Sequence, residues 1–216
     1  MPSIDNPLLA RPTAVAPPTP TEAVLVERAR SDPRAFGALY EIHYERILNY
    51  IYRRTLNVAL AEELTSNTFF KALRHLPRYR RRTPFQAWLY RIATNEIKMH
   101  WRTEKRRRAR QETFAGADLD RVYFTSPEAD DRERIRQIAL LNEALRRLPD
   151  RYQTVLVLRY FEGLKHRQIA DVLGKKTGTV KSLVSRGLAR LRTIIDADAT
   201  FPHCGHFQDE AGGEKP

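Results

Sequence analysis

The sequence predicts an all-α protein built from two small helical modules that a flexible linker joins. Apolar residues recur at intervals of three and four through most of residues 36–196, which is the spacing of helices that bury one face. Proline and glycine occur where these stretches end, as expected at helix termini. No stretch alternates apolar and polar residues convincingly enough to predict a β-strand.

The N-terminal stretch, residues 1–21, is predicted to be a disordered tail. Residues 1–20 contain six of the thirteen prolines of the chain and little that packs into a core. Such a composition buries too little apolar surface to offset the entropy lost on ordering. The tail is either a flexible leader or a segment with a partner-binding motif, and its composition favours the leader.

Residues 22–107 are predicted to form the first module, a bundle of three helices. Asp32-Pro33 and Thr83-Pro84 each place a helix-capping residue before a proline that suits the first helical turn. The second helix is predicted over about residues 58–75, and the third begins at Pro84. The apolar residues that the three helices bury against one another are Phe36, Leu39, Tyr40, Tyr44, Ile47, Ile51, Leu60, Leu64, Phe69, Leu73, Phe85, Trp88, Leu89, Ile92 and Ala93.

Residues 108–126 break this pattern and are predicted to be the linker. Acidic residues dominate the neighbourhood, since residues 112–133 hold seven acids against two arginines. The second module is predicted over residues 127–199, and residues 200–216 read as a C-terminal tail. The helices of the second module are expected at residues 127–147, about 150–161, about 165–173 and about 177–196.

The last two of these helices have the pattern of a helix-turn-helix. Ala170 is small where a second helix crosses closely, and Gly174 follows the last inward leucine, where a positive φ ends a helix. Hydroxyls and cations on the outer face of the second helix are the groups that bind base edges and phosphates in a major groove. These candidates are Thr177, Lys181, Ser182, Ser185 and Arg186. A helical hairpin with a solvated face is the alternative, which the consistent offsets disfavour.

Positive charge is concentrated in the first module. The formal net charge is +12, and residues 74–110 hold thirteen lysines and arginines against two acids. This cluster favours a nucleic-acid partner over a merely solvated helix surface. Trp101 points nearly opposite the apolar stripe, so it either stacks on an unpaired base or is covered by the linker. The candidate DNA-contacting residues are Arg78, Arg80, Arg81, Arg82, Arg91, Asn95, Lys98 and Arg102.

Several other protein classes are disfavoured. No stretch approaches the roughly 20 apolar residues that span a bilayer, and the N-terminus lacks the pattern of a signal peptide. The single cysteine, Cys204, excludes an intramolecular disulfide and suits a reducing cytoplasm. An enzyme or metal site at His203, Cys204 and His206 lacks a fourth ligand, a base or a phosphate loop. Acid–base chemistry at Glu62-Glu63 is likewise less expected than a favourable contact with a helix dipole or a basic partner. No catalytic residue, metal or cofactor is predicted.

These patterns together resemble the group IV, or extracytoplasmic-function, sigma factors of bacterial RNA polymerase, between about Ala23 and Ile195. The first module is similar to their region 2 and the second to their region 4, in the right order and with a short linker. The stretches that carry the likeness are Ala35-Phe36, Leu39-Tyr40, Ala61-Glu62-Glu63-Leu64, Thr68-Phe69, Ala87 to Ala93 with Asn95, Leu148-Pro149, Leu158-Arg159-Tyr160, Glu162-Gly163, Ile169-Ala170 and Gly178 to Ser182.

The resemblance implies a function and a set of partners. Region 2 binds the clamp of core RNA polymerase and reads the −10 element of promoter DNA, and region 4 reads the −35 element and binds the flap. The residues implied for the clamp are Glu62, Glu63, Leu64, Ser66, Asn67 and Phe69, and Thr179 joins the set implied for −35. An anti-sigma factor is a further expected partner. A stand-alone helix-turn-helix regulator is the alternative, but it leaves the module at 22–107 unexplained.

Overall fold

The computed structural model describes residues 20–80, 83–110 and 129–197, and side chains within residues 22–80, 83–107 and 136–197. Every regular element in these ranges is helical, which confirms the predicted fold class. Short 3₁₀ turns cover Pro33–Ala35 and Leu76–Arg78, and a π-helical turn covers Val157–Phe161. The helices are α1 (Pro20–Ser31), α2 (Phe36–Thr55), α3 (Val58–His75), α4 (Phe85–Arg110), α5 (Ala129–Arg146), α6 (Asp150–Leu156), α7 (His166–Leu173) and α8 (Thr177–Asp196).

Polar side chains cap the 3₁₀ turn that leads into α2 and the first turn of α3. Asp32 Oδ1 accepts a hydrogen bond from the backbone N–H of Arg34 at 2.9 Å, which confirms the predicted cap. Asn57 caps α3 in the same way, because its Oδ1 accepts from the backbone N–H of Leu60 at 2.8 Å. The residue before it, Leu56, has a φ of 51° that ends α2 and redirects the chain. The short connection lets α2 and α3 pack side by side.

The ends of the first module differ from the prediction. α1 was not expected, and it begins at Pro20, inside the stretch predicted as a tail. Val26 and Ala29 are buried in the bundle, and Glu22 is hydrogen-bonded to the His43 ring at 2.8 Å, so packing holds this helix. α4 continues to Arg110, past the predicted start of the linker. Residues 1–19, 111–128 and 198–216, which include most of the predicted linker and tails, lie outside the described residues.

The second module is organised around α8. Val180 and Val184 are buried, and α8 packs against both α6 and α7. Gly187 permits the close approach to α6, since a Cβ at this position would lie 3.3 Å from Cγ of Leu156. Gly174 ends α7 with a φ of 62°, as the helix-turn-helix pattern predicts.

The two modules also pack directly against each other, which the sequence did not predict. α4 lies against α7, and the π-helical turn contacts α2. At the centre of this contact Tyr90 is fully buried and donates a hydrogen bond to the carboxylate of Glu162. The module-to-module contact therefore contains polar groups as well as apolar ones.

Candidate nucleic-acid interface

Helix α8 turns one face inward and presents the other to solvent. Val180 and Val184 lie in the core and Leu183 is half-buried. Thr177, at the start of the helix, is half-buried too. The predicted residues Thr179, Lys181, Ser182, Ser185 and Arg186 are all exposed. Folding thus relies on the inner face, and the outer face is available for a ligand.

Positive charge surrounds the entry to the helix-turn-helix. Burial lowers the pKa of His166, the first residue of α7, and the charges of Arg159 and Lys181 lower it further. Lys175 and Lys176 are exposed in the turn before α8. These two lysines were not among the predicted site residues, although cations beside a helix N-terminus form an anion-binding arrangement. The positive electrostatic potential at this end of α8 favours the binding of phosphate.

A second polar face runs along α4 and the segment before it. The helical spacing predicted that Arg91, Asn95, Lys98 and Arg102 face away from the apolar stripe, and all four are exposed. Arg78 and Arg80 are exposed as well, whereas Arg81 and Arg82 lie outside the described residues. The first module therefore exposes several cations along α4 and the segment before it.

Arg91 is exposed but already engaged. Its Nε donates a hydrogen bond to the backbone oxygen of Asp171 at 3.1 Å and lies 3.4 Å from that of Val172. Its Nη2 also donates to the Asp171 oxygen. Both carbonyls belong to the last turn of α7, where helix oxygens lack internal partners and carry partial negative charge. A residue predicted to contact DNA is thus bound to the other module in this structure.

Trp101 is partly exposed at the boundary between the modules, and both expectations for it stay predictions. Its side chain is 40% exposed and stands edge-on to the ring of His100, with centroids 5.1 Å apart. It borders a cavity of about 380 Å³ between the modules, together with Arg54, Lys98 and Arg146. Its exposed part is positioned among cations, where an aromatic ring can stack on a base.

The exposed face of α3 contains most of the residues expected at the polymerase clamp. Glu62, Glu63, Ser66 and Asn67 are exposed on this helix. Leu64 and Phe69 are buried in the bundle, each 4% exposed, so they support the surface from below and do not form it.

Phe70 is the residue of this surface that the sequence analysis missed. Its side chain is 65% exposed, the largest exposed fraction among the big apolar side chains in the described part of the chain. Tyr40 lies close to this surface, since its ring packs edge-on against Phe69 with centroids 4.7 Å apart, and it is partly exposed. An exposed aromatic residue such as Phe70, on the same helix as the exposed acids Glu62 and Glu63, is typical of a protein-binding surface. The apolar periodicity gave no signal, since Phe69 and Phe70 are adjacent and only one fits the stripe.

An ion pair connects this surface to α4. Lys71 Nζ lies 2.6 and 2.7 Å from the two carboxylate oxygens of Glu96. Glu96 is almost fully buried while Lys71 remains half-exposed. The partial burial strengthens the Coulomb attraction between the two charges, while the removal of Glu96 from water opposes it. The helix with the acidic face and the helix with the basic face are thereby joined at one point.

In the residues that the structure describes, no three His, Cys, Asp or Glu side chains are grouped as metal ligands. His203, Cys204 and His206 lie outside the described residues. No helix in the described ranges is long and apolar enough to cross a bilayer.

Comparison with known families assigns each module separately. The model "Sigma-70 region 2" matches residues 39–107, and the model "Sigma-70, region 4" matches residues 138–191. The first match covers most of α2, all of α3 and most of α4, and the second covers the helix-turn-helix. The order and spacing of the two matches agree with the two modules of the structure.

Individual proteins give the same picture. The chain is 37% identical over 178 residues to the ECF RNA polymerase sigma factor BldN of Streptomyces coelicolor, covering 81% of this chain but 66% of that relative. It is 36% identical over 170 residues to the RNA polymerase sigma-H factor of Pseudomonas aeruginosa, covering 75% of this chain and 87% of the relative.

A solved structure shares the fold. The sigma factor RpoE of Bartonella quintana, in complex with the anti-sigma factor NepR, aligns with a TM-score of 0.59 and 21% identity. The alignment covers 76% of this chain and 98% of the other.

Proposed function

Since this chain belongs to the extracytoplasmic-function group of the sigma-70 family, we propose that it binds core RNA polymerase and directs transcription initiation at specific promoters. The observation that carries this proposal is helix α8. Its apolar side is buried in the module, and its outer face exposes hydroxyls and cations from Thr179 to Arg186. A second DNA-binding face on α4 distinguishes the chain from a protein with one helix-turn-helix.

The second module reads the −35 element by placing α8 in the major groove. Lys181 and Ser182 lie near the N-terminal end of the helix, which enters the groove most deeply in this motif, so they contact base edges. Ser185 and Arg186 lie one turn further along, and Arg186 contacts phosphate. The cations at Lys175 and Lys176 add contacts that carry no sequence information.

The first module holds the −10 element while the duplex opens. Arg78 and Arg80 attract the phosphates, and the exposed face of α4 supplies Asn95, Lys98 and Arg102. Unpaired bases are bound by stacking on aromatic rings beside such a basic groove, which is the role of Trp101. Sequence recognition at this element therefore depends on strand separation.

Core RNA polymerase is the main protein partner. The exposed residues of α3, Glu62, Glu63, Ser66 and Asn67, meet the clamp, and Phe70 adds apolar area to the same contact. Region 4 contacts the flap. Polymerisation belongs to the core enzyme, so this chain contributes no catalytic group and acts in the cytoplasm, where that enzyme is. The Bartonella relative is bound to an anti-sigma factor, and we propose that an anti-sigma factor also controls this chain.

Run-off transcription with purified core polymerase on a library of promoters tests the proposal. We expect specific transcripts only when the chain and the core enzyme are combined, because each module alone offers a small interface. A matched reaction with Ser182→Ala and Lys181→Ala should retain core binding but lose promoter selectivity. Specific duplex binding by the free chain, with no transcript from any promoter in the presence of core, would identify a stand-alone helix-turn-helix regulator instead.

A further inference from the structure

We propose that the cavity beside Trp101 is a binding site for a small ligand, a nucleoside monophosphate. The cavity has a volume of about 380 Å³, and pockets that bind small molecules typically measure roughly 300–1,000 Å³. A volume near the lower end of this range fits one nucleotide and not a chain of them. The site goes beyond the proposed function, because residues of both modules line it and the proposed function assigns no ligand to the cavity as a whole.

Four helices supply the wall of the cavity. Three of the lining side chains are cationic, two are aromatic or aliphatic, and Asp150 is the only acid among the described lining residues. The others are Arg54 near the end of α2, Lys98 and Trp101 of α4, Arg146 at the end of α5, Leu148 in the turn that follows, and Gln153 of α6.

The acid does not cancel the positive charge of the cavity. The carboxylate of Asp150 accepts a hydrogen bond from Nη2 of Arg54, so these two charges neutralise each other. Arg146 pairs with Glu143, with N–O distances of 2.8 and 3.0 Å. Lys98 is exposed, and no carboxylate in the described part of the chain pairs with it. An anion that enters the cavity therefore meets an uncompensated ammonium group.

Two buried donors select a ligand that is rich in acceptors. Gln153 is 6% exposed, and its Nε2 has no hydrogen-bond acceptor among the described residues. Arg54 is 4% exposed, and its Nε likewise has none there, although both of its Nη atoms donate to α6. A buried donor without an acceptor costs free energy, which a ligand acceptor recovers. The keto oxygens, ring nitrogens and phosphate oxygens of a nucleotide are acceptors of this kind.

Trp101 supplies the surface on which the base stacks. Its side chain is 40% exposed, and the buried Leu148 adds aliphatic contact in the same cavity. Stacking tolerates every base, since each base has a π-face, so the cavity recognises nucleotides as a class. In the proposed complex the base lies on Trp101, the phosphate lies at Lys98, and an acceptor of the ligand reaches Gln153.

A bound nucleotide competes with the −10 strand. Trp101 and Lys98 are also the residues that the proposed function gives to that strand, so this consequence alone rests on the proposed function. One indole ring does not stack on a free base and on a promoter base through the same face. Promoter opening by this chain therefore falls as the nucleotide concentration rises.

Isothermal titration calorimetry on the full-length chain tests the site without polymerase. The probes are AMP, GMP, CMP and UMP, with adenosine and inorganic phosphate as the two halves of one ligand. Lys98→Ala and Trp101→Leu change exposed lining residues, and Gln153→Leu removes the buried amide. Lys105→Ala, an exposed lysine of α4 outside the lining, is the control for the first. Gln86→Leu is the control for the last, because Gln86 is 7% exposed and its Nε2 also has no acceptor among the described residues, but it lies outside the lining.

We expect the four monophosphates to bind with similar affinity, and adenosine and phosphate to bind more weakly than AMP. Loss of the ammonium group in Lys98→Ala should weaken AMP binding roughly tenfold. Loss of stacking in Trp101→Leu should weaken it by roughly 5–150-fold, and loss of one hydrogen bond in Gln153→Leu by about 2–12-fold. Both control variants should bind AMP as the parent does.

Several results would overturn the proposal. Absence of binding by all four monophosphates would remove the ligand, and affinities unchanged by Lys98→Ala and Trp101→Leu would place it elsewhere. These two variants change exposed side chains, so they decide the matter even if Gln153→Leu does not fold. Phosphate that binds as tightly as AMP would indicate an adventitious ion only.

A single-stranded −10 oligonucleotide distinguishes the two sources of a nucleotide unit. We expect AMP to displace the oligonucleotide from the free chain. If the oligonucleotide bound, Gln153→Leu weakened it and no monophosphate bound, the cavity would belong to the promoter strand and the free ligand would be wrong. Loss of the site in these titrations, with specific run-off transcripts retained, would leave the proposed function intact; nucleotide binding without any transcript would do the reverse.

Discussion

The contact between the two modules should weaken as the pH rises, because Glu162 is buried in it. Burial raises the pKa of Glu162 from 4.5 to about 7, although the hydrogen bond from Tyr90 and the charges of Arg53 and Arg46 oppose the change. Tyr50, also fully buried, lies close enough to interact with the same carboxylate. When the two modules separate, water reaches the carboxyl and its pKa returns to the ordinary value.

The size of the effect follows from this difference in pKa. A group whose pKa is raised where the modules are in contact binds its proton more tightly there, so its contribution to that contact is complete below pH 4.5 and is lost as the pH rises through about 7. Between pH 6 and pH 8 the free energy of association of the two modules becomes less favourable by about 1.3 kcal/mol, which is roughly a tenfold change in the equilibrium between packed and separated modules.

The measurement is energy transfer across pH 5.5 to 8.5 between dyes attached through Glu45→Cys and Thr193→Cys, two exposed sites in different modules, in a chain with Cys204→Ser. Glu162→Gln is the control, since it keeps the shape and can still bond to Tyr90 but does not titrate. We expect a pH-dependent opening in the parent that is absent from Glu162→Gln. The same pH profile in both proteins would show that another group titrates and that the reasoning about Glu162 is wrong.

Three further predictions concern the DNA-binding faces and the fold. Lys181→Ala should cost about 1–3 kcal/mol in −35 binding and relax the preference at one base pair. Arg186→Ala should weaken binding to all sequences alike and reduce the slope of log affinity against log salt concentration by about one. Binding of the core–sigma complex to varied duplexes at several salt concentrations distinguishes these two effects. Lys98→Ala should reduce promoter opening, measured by permanganate reactivity of unpaired thymines, and normal opening would remove it from the −10 contact. Asn57→Ala should destabilise the first module by about 1 kcal/mol through loss of its cap, and an unchanged melting temperature would contradict that role.

Local patterns in the sequence predicted much of the fold because the responsible interactions are local. The spacing of Val180 and Val184 placed the inner face of α8, and Gly174 marked the end of α7. The predicted range 58–75 agrees with α3, since apolar periodicity extends to both ends of that helix. The same helical geometry predicted which residues lie on the exposed outer faces, whereas the roles of these residues in binding stay predictions.

Interactions between distant residues were not visible in the same way. Arg53 and Arg54 end α2 and look like a solvated basic pair, yet both are buried against region 4. Glu162 precedes a glycine and reads as part of a turn, but its partner Tyr90 is 72 residues away. Periodicity describes which face of a helix is apolar, and it carries no information about which polar residues meet across two modules.

The ion pair between Lys71 and Glu96 has a mechanical consequence. α4 has 26 residues and is about 39 Å long, and Glu96 lies near its midpoint. If the helix pivoted there by 5°, its tip would move by about 1.7 Å, which is more than a hydrogen bond tolerates. The pair fixes the orientation of α4 relative to α3 at this point. If α3 binds core polymerase as proposed, that binding also sets the direction in which the proposed DNA-binding face of α4 points.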